Sequence, residues 1–543
     1  EVSKGDEKVH DDYYTSLIGV QNLAKKEQQT VEQLVRYRSK LVGRLTLIDK
    51  YLKDYSKSIR PLIHRSQTLR RKFLRKEFPI FKKENDLQTI AEGVSSHPLM
   101  VFRLLRRFAK ELPDIALNLF EDDIDKELKE YLDEMADGFD IPTEVDLNGA
   151  ADGILRLQDT YQLSTYDLGV GKLVEKETGS GLLASDMQFI GVRAFNKEKH
   201  ATSVEWIYYG LQKVKNGDDS VALNIMKEHL RYTSEYHNKE LLSFKLTSTN
   251  LFQNLINSTS LNIDGLYQSP DVTHYPLGLV GDSIYDIYNF DALCRGEQLL
   301  SPAKTKNLHC WYSHDSPYNV ISPLKFEAHH GNPPVYQVYD LISDNVIDHI
   351  KKLAAPNLKR AQVVGSYQKG GGIKSDVRTS SVAWLSDKQE TNDTLLLKVP
   401  KIVHRATKLH PWASKSAEEL QISCYGSVGG YYVPHLDTLI NPGVPLPSEM
   451  DDWKKGDRVA TIMFYLSDVE LGGGTAFPRL GIASKAVKGS AVIWYNLRYN
   501  GERELLMLHG GCPVLYGNKW VANKWVRLYE QLHVRKCSKD RYQ

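Results

Sequence analysis

The chain has 543 residues, a length that divides into roughly two to four domains rather than one core. Hydrophobic residues make up 41% and charged residues 25%, and the formal net charge is +2. That ordinary, near-neutral balance gives no whole-chain case for a nucleic-acid partner or an anionic membrane surface, and no run reaches the ~20 apolar residues of a membrane span. An opening residue of Glu1 is compatible with removal of a leader.

Residues 12–55 read as a long helix. Leu17, Val20, Ala24, Glu27, Val31, Leu34, Arg38, Leu41, Leu45, Ile48 and Leu52 follow steps of three and four, a heptad seam that is apolar except at Glu27 and Arg38. The seam predicts a coiled-coil dimerisation element, with folding back on a neighbouring helix as the alternative. Residues 97–135 are helical again, and their basic run from Arg103 to Lys110 reads as a solvated face. Together residues 1–140 form a helical, coiled-coil dimerisation domain.

Residues 141–245 carry amphipathic segments at 147–164, 184–196, 199–215 and 220–238. Paired helices of this length resemble a TPR-like repeat unit with a concave binding face, although no strict repeat is present. Tyr161, Tyr166, Tyr208, Tyr209, Tyr232 and Tyr236 fit either core packing or a groove for Pro-rich peptide, whose polyproline II form is already ordered. Residues 246–330, rich in Ser, Asn, Pro, Tyr and Asp, read as a linker.

From residue 331 to 543 the period shifts towards two. VYQVYDLIS, AEELQISCYG, RVATIMFYLSDV, SAVIWYN and ANKWVRLYEQ read as strands separated by Gly-rich turns. One helix, NVIDHIKKLAAPNL, precedes most of them. The expectation is an all-β barrel or jelly roll.

There are five cysteines, Cys294, Cys310, Cys424, Cys512 and Cys537, and no C-x-x-C pair, so a thiolate zinc site is disfavoured. Short-range pairing of Cys294 with Cys310 and Cys512 with Cys537 is possible, and free buried thiols are the alternative. Sequons at Asn257 and Asn392 lean towards the secretory pathway.

The β region holds GGYYVPHLD. On a strand His435 and Asp437 would face the same way. A late histidine would complete a facial triad; His509, just before a turn, suits this better than His533 near the C-terminus. Two imidazoles and a carboxylate bind Fe(II) on one face and leave the other for a bidentate co-substrate and O2. A 2-oxo acid bound there would bury its second carboxylate, which needs a cation. Lys519 can supply it, helped by hydroxyls of Thr475 and Tyr425, while Lys524, five residues on, falls on the opposite face of its strand.

The segments YGSVGGYYVPHLD, GDRVATIMFYLSDVELGGGTAFP, KGSAVIWYN and HGGCPVLYGNKWVANKW closely resemble the catalytic domain of collagen prolyl 4-hydroxylase α subunits. LRLQDTYQL resembles the start of that family's peptide-binding domain, and LCRGE its inter-domain cysteine segment. The resemblance implies a multidomain α + β chain ending in a double-stranded β-helix (jelly-roll) domain. It implies His435, Asp437 and His509 as iron ligands and Lys519, Tyr425 and Thr475 around 2-oxoglutarate. It places Tyr432 and Arg458 near the substrate proline and Trp494 on a strand lining the site. It also implies disulfides Cys294–Cys310 and Cys512–Cys537, ascorbate as the reductant that rescues iron, and the endoplasmic reticulum lumen. Its implied assembly is an α2β2 tetramer with protein disulfide isomerase as β. The implied reaction is C4 hydroxylation of proline in collagen-like X-Pro-Gly sequences, coupled to oxidation of 2-oxoglutarate to succinate and CO2. Alternatives are a related oxygenase for another peptidyl substrate and a non-catalytic binder of Pro-rich peptides. Phe195 stands where the family usually has tyrosine, and His200 and Ala201 interrupt a Tyr-rich stretch.

Overall fold

The computed structural model describes residues 13–40, 45–65, 84–119, 142–243, 277–280, 283–363, 373–374, 378–412, 416–426, 428–439 and 455–540. The chain divides into two compact units, residues 1–272 with 427–429, and residues 273–426 with 430–543. Both predicted helical domains therefore fall in the first unit.

The first unit contains α1 (Leu17–Lys40), α2 (Leu45–Arg65), α3 (Glu84–Ser95), α4 (Pro98–Arg106) and α5 (Leu112–Leu119). It continues with α6 (Glu144–Tyr161), α7 (Thr165–Val170), α8 (Ala184–Asn196), α9 (His200–Lys215) and α10 (Leu223–Ser243). The start of α6 is fixed by a capping box, in which the Thr143 N–H donates to Asp146 Oδ2 at 2.9 Å. α8 packs on α9, and α9 on α10. Gly191 permits the first approach, since a Cβ there would lie 2.7 Å from Ile207 Cδ1.

The described part of the N-terminal seam is buried within the chain, which is the alternative of folding back on a neighbouring helix. Leu17, Val20, Ala24, Val31, Leu34, Ile48 and Leu52 are all buried without a second copy, and α1 packs against α3. The polar seam position Glu27 is buried too, accepting a 3.1 Å hydrogen bond from Arg107 Nη2. Heptad spacing marks a buried stripe; it does not say whose surface covers it. The basic run is likewise no solvated face. Arg103 and Arg107 are buried, Arg103 pairing with Asp54 and Arg107 with Glu27.

The second unit begins with α11 (Ser283–Cys294) and adds α12 (Asp344–Ala354), α13 (Asp387–Asn392) and α14 (Lys398–Thr407). Its strands are β1 (Cys310–Ser313), β2 (Leu324–Gly331), β3 (Pro334–Tyr339), β4 (Lys359–Arg360), β5 (Ser380–Leu385), β6 (Leu420–Tyr425) and β7 (Tyr432–His435). They continue as β8 (Arg458–Tyr465), β9 (Thr475–Phe477), β10 (Ile482–Ser484), β11 (Ala491–Tyr495), β12 (His509–Gly511) and β13 (Lys519–Arg527). A nine-stranded antiparallel sheet runs β1-β2-β3-β11-β8-β13-β6-β5-β4, and a four-stranded sheet runs β7-β12-β9-β10. The two share one core, with Val335, Met463, Val492, Trp494 and Val521 from the large sheet meeting Phe477 and Ile482 from the small one. This is the β-sheet-rich architecture expected of residues 331–543.

The segment read as a linker, 246–330, contributes to this unit. β1 and β2 extend the large sheet, and Phe290 and Leu293 of α11 pack on Ala476 and Cys512. Its polar composition hid alternation, as at the inward-facing Leu324 and Phe326. The cysteine pairing is corrected as well. Cys294 at the end of α11 bonds Cys512, immediately after β12, with Cα atoms 5.4 Å apart. Cys310 lies exposed on the edge strand β1 and Cys537 is exposed near the C-terminus, both as thiols. Cys424 is a buried thiol in β6. Asn392 is exposed at the end of α13, and Asn257 lies outside the described residues.

Candidate active site

β7 and β12 form an antiparallel pair in which His435 stands opposite His509. Side chains at opposed positions leave the sheet on the same face, and the two ring centres are 4.5 Å apart. β7 ends at His435, so Asp437 sits just past the strand rather than on it. Its carboxylate still reaches both rings, with Oδ1 3.7 Å from His435 Nε2 and Oδ2 3.6 Å from His509 Nε2. All three donor atoms lie within 4.8 Å of one another.

Backbone carbonyls set the tautomers. His435 Nδ1 donates to Val433 O and His509 Nδ1 to Met507 O, each at 2.9 Å. Each Nε2 lone pair is thereby left for a metal. Burial lowers the His509 imidazole to about 4, so the ring is neutral, the form that ligates. Burial raises the Asp437 carboxyl, but His509 and His435 more than offset it and hold it well below the usual carboxylate range. Thr461 Oγ1 donates to Asp437 Oδ2 at 2.7 Å and accepts from Asn496 Nδ2 at 2.9 Å. The donor set of two imidazoles and one oriented carboxylate fits Fe(II).

Lys519 opens β13, opposite Tyr425 of β6. It is 1% exposed, and its Nζ donates to the Gly474 carbonyl at 3.1 Å, with the rings of Tyr425 and Tyr465 4.9 and 5.7 Å away. Burial alone lowers it to about 7. Across from it, a Cβ on Gly511 would come 3.6 Å from both Lys519 Nζ and Tyr425 Oη. The missing side chain leaves room for a ligand beside a buried cation that, among the described residues, has no carboxylate partner. The far carboxylate of 2-oxoglutarate fits that position. Thr475 Oγ1 sits nearby, bonded to Tyr465 Oη at 2.8 Å, and Tyr465 Oη also meets Ser484 Oγ at 2.9 Å. Lys524 faces away as expected, buried against Glu390 at 2.7 and 2.9 Å.

The other expected residues surround the triad. The Tyr432 ring stacks on His435 at 3.6 Å, and Trp494 meets His509 edge-on at 4.6 Å. Arg458 Nη1 donates to the Asp437 carbonyl at 3.2 Å. Glu418 holds Arg458 bidentately at 2.6 and 2.7 Å and also accepts from Arg527 Nη1 at 2.8 Å. The Arg458 guanidinium lies 3.8 Å over Trp525, which contacts the exposed Trp384.

Sequence reasoning missed several of these groups. Arg378 stacks 4.8 Å over Tyr432, secured by Ser380 and Ser423. Thr461, Tyr465, Ser484 and Glu418 were also passed over, because no spacing distinguishes them from core residues. For Thr461 the position two residues along from Val459, on the face that carries Met463 and Tyr465, was the available signal.

Two antiparallel sheets enclosing a His/Asp/His cluster and a buried lysine define a 2-oxoglutarate- and Fe(II)-dependent oxygenase, and residues 420–527 match the 2OG-Fe(II) oxygenase superfamily. Residues 16–175 match the prolyl 4-hydroxylase alpha-subunit N-terminal region. The chain is 34% identical over 477 residues to prolyl 4-hydroxylase subunit alpha-2 of Gallus gallus, covering 82% of this chain and 85% of that one. To subunit alpha-1 of Rattus norvegicus it is 31% identical over 480 residues, with the same coverage of 82% and 85%. To subunit alpha-2 of Caenorhabditis elegans it is 28% identical over 545 residues, covering 97% and 94%. The chain belongs to the prolyl 4-hydroxylase alpha-subunit family.

Proposed function

We propose that the chain hydroxylates C4 of peptidyl proline in collagen-like X-Pro-Gly sequences while 2-oxoglutarate is oxidised to succinate and CO2. The observation that carries this reading is the convergence of His435, Asp437 and His509 in the same core as a buried Lys519 with no carboxylate partner among the described residues. Bound Fe(II) supplies the chemistry that divides O2 between 2-oxoglutarate and the prolyl C–H. The chain's residues hold and orient. His435, Asp437 and His509 grip the iron, and Lys519 with Tyr425 and Thr475 anchors the far carboxylate. Tyr432, Arg458 and Trp494 shape the substrate side, and the packed sheets exclude water.

A peptide substrate is supported by the first unit. Tyr208 and Tyr209 are core residues, but Tyr166, Tyr232 and Tyr236 are exposed. Phe195 packs against Tyr232 and Tyr236 with ring centres 5.3 and 5.1 Å apart, and His200 lies 5.1 Å from Phe195. An exposed aromatic cluster on consecutive packed helices suits a polyproline II segment, in keeping with a TPR-like peptide-binding role. A disulfide within the β unit accords with the endoplasmic reticulum lumen. Assembly with protein disulfide isomerase as α2β2, and ascorbate as the reductant, complete the reading by family resemblance.

The test is succinate release from 2-oxoglutarate by the chain co-expressed with protein disulfide isomerase, with and without a (Pro-Pro-Gly)n peptide. Hydroxyproline is read by mass spectrometry in the same tube. Peptide-dependent succinate with matching hydroxyproline is expected; turnover that no Pro-rich peptide stimulates would reject the substrate class and keep the iron site.

A further inference from the structure

Three of the histidines outside the triad gather at one place on the second unit. His404 lies in the last turn of α14, His410 follows three residues after that helix, and His533 follows the turn Tyr529–Gln531. The His404 and His410 ring centres are 5.3 Å apart and those of His410 and His533 4.7 Å. We propose that His404, His410 and His533 form a second metal site for a zinc-type divalent ion, separate from the iron triad.

The two adjacent ring pairs, His404 with His410 and His410 with His533, have separations that suit the chemistry. With metal–nitrogen bonds of about 2.0–2.1 Å, an imidazole centre lies about 3.2 Å from the ion, so two tetrahedrally disposed rings have centres about 5 Å apart. The two ligand rings of the iron site, by comparison, are 4.5 Å apart. Imidazole donors select zinc, copper or nickel rather than calcium or magnesium.

The rings are also prepared as ligands. His404 Nδ1 donates to the Leu409 carbonyl at 2.8 Å, leaving Nε2 unprotonated. That is the device used by His435 and His509. Lys408, in the left-handed conformation at φ 64°, turns the chain so that His410 follows His404 closely. Gln531, fully buried, then clamps His410 from the other segment. Its Oε1 accepts from the His410 N–H at 2.7 Å, and its Nε2 donates to the His410 carbonyl at 2.9 Å. Segments 121 residues apart are thus locked two residues from His533. Among the described residues only the iron triad already holds its donor atoms within 4.8 Å of one another. The second site therefore requires a ring, such as the exposed His533, to turn inward when the ion binds.

The experiment uses the full chain with its partner subunit, carrying His435→Ala and His509→Ala so that the iron site takes no metal. After dialysis against micromolar zinc, a stoichiometric ion should remain, and Co(II) in its place should give the intense visible bands of a tetrahedral imidazole site. Adding His410→Ala or His533→Ala should abolish both signals. His533 is exposed, so its replacement leaves the fold intact, and His533→Ala in the otherwise native chain should leave proline hydroxylation unchanged. No retained zinc in the triad-free chain, or retention indifferent to His410→Ala and His533→Ala, would overturn the assignment.

Discussion

His435 and His509 face each other across the β7–β12 pair, 74 positions apart in the chain and one strand spacing apart in the sheet. Their Nδ1 atoms are tied to carbonyls two residues back in each case, so both Nε2 atoms are aimed before any metal arrives. Asp437 joins them from beyond the strand end and depends on a hydroxyl for its orientation. The weakest support in the triad is therefore Thr461. Thr461→Val keeps the shape and removes the donor, and Fe(II) affinity should fall about 10- to 100-fold. Metal titration followed by equilibrium dialysis checks this, and an unchanged affinity would place the control of Asp437 elsewhere.

Lys519→Ala should act on the co-substrate. Loss of a charge-assisted bond of about 1.5–3 kcal/mol raises the 2-oxoglutarate KM by about 10- to 150-fold, with iron binding preserved. Steady-state kinetics at saturating iron separates the two, and a KM equal to that of the parent chain would refute the role of Lys519.

The same residue sets a pH dependence. Burial lowers Lys519 to about 7 in the ligand-free chain, whereas an unfolded lysine titrates near about 10.4. Between those values the unfolded state holds more protons, so this residue's contribution to stability is full above the upper value and is lost as pH falls towards the lower one. Binding of the dianion needs the ammonium. Affinity for 2-oxoglutarate should be level below about pH 7 and decline above it, approaching tenfold per pH unit. Calorimetry across pH 6–9 on the parent and on Lys519→Met checks both the slope and its disappearance.

Glu390→Gln leaves Lys524 buried without its carboxylate, which should cost about 3–5 kcal/mol of stability. Because Lys524 faces away from the triad, activity measured well below the melting temperature should persist. Denaturant unfolding paired with a turnover assay distinguishes this from a catalytic defect.

Peptide mapping without reduction should recover Cys294 joined to Cys512, with Cys310 and Cys537 open to alkylation. Cys294→Ser should destabilise the β unit by about 2–5 kcal/mol. Recovery of Cys294 with Cys310 would restore the short-range pairing instead.

The catalytic half was legible in the sequence because its chemistry is carried by rare residue types at definite spacings. His435 and Asp437 two apart, and Lys519 and Lys524 five apart, are statements about strand faces that the folded β unit obeys with one change, the end of β7 before Asp437. Groups that act through common residue types, such as Thr461, Glu418 and Arg378, left no pattern to find. The helical half was misread for a different reason. A stripe such as Leu17–Leu34 reports burial and is silent about the partner, and Arg103 and Arg107 looked solvated because their acids, Asp54 and Glu27, are 49 and 80 residues away. Cysteine pairing failed similarly. Proximity in sequence suggested Cys310, while α11 carries Cys294 to the back of the strand that bears His509.

That last placement has a practical corollary for anyone excising the catalytic domain. A fragment starting at residue 331, where the strand pattern becomes obvious, would leave Cys512 as an odd thiol, strip α11 from behind Gly510, and uncover the β3 edge that β2 now pairs. A fragment that keeps these contacts must include the whole of α11 from Ser283, some fifty residues earlier than the periodicity of its strands would advise.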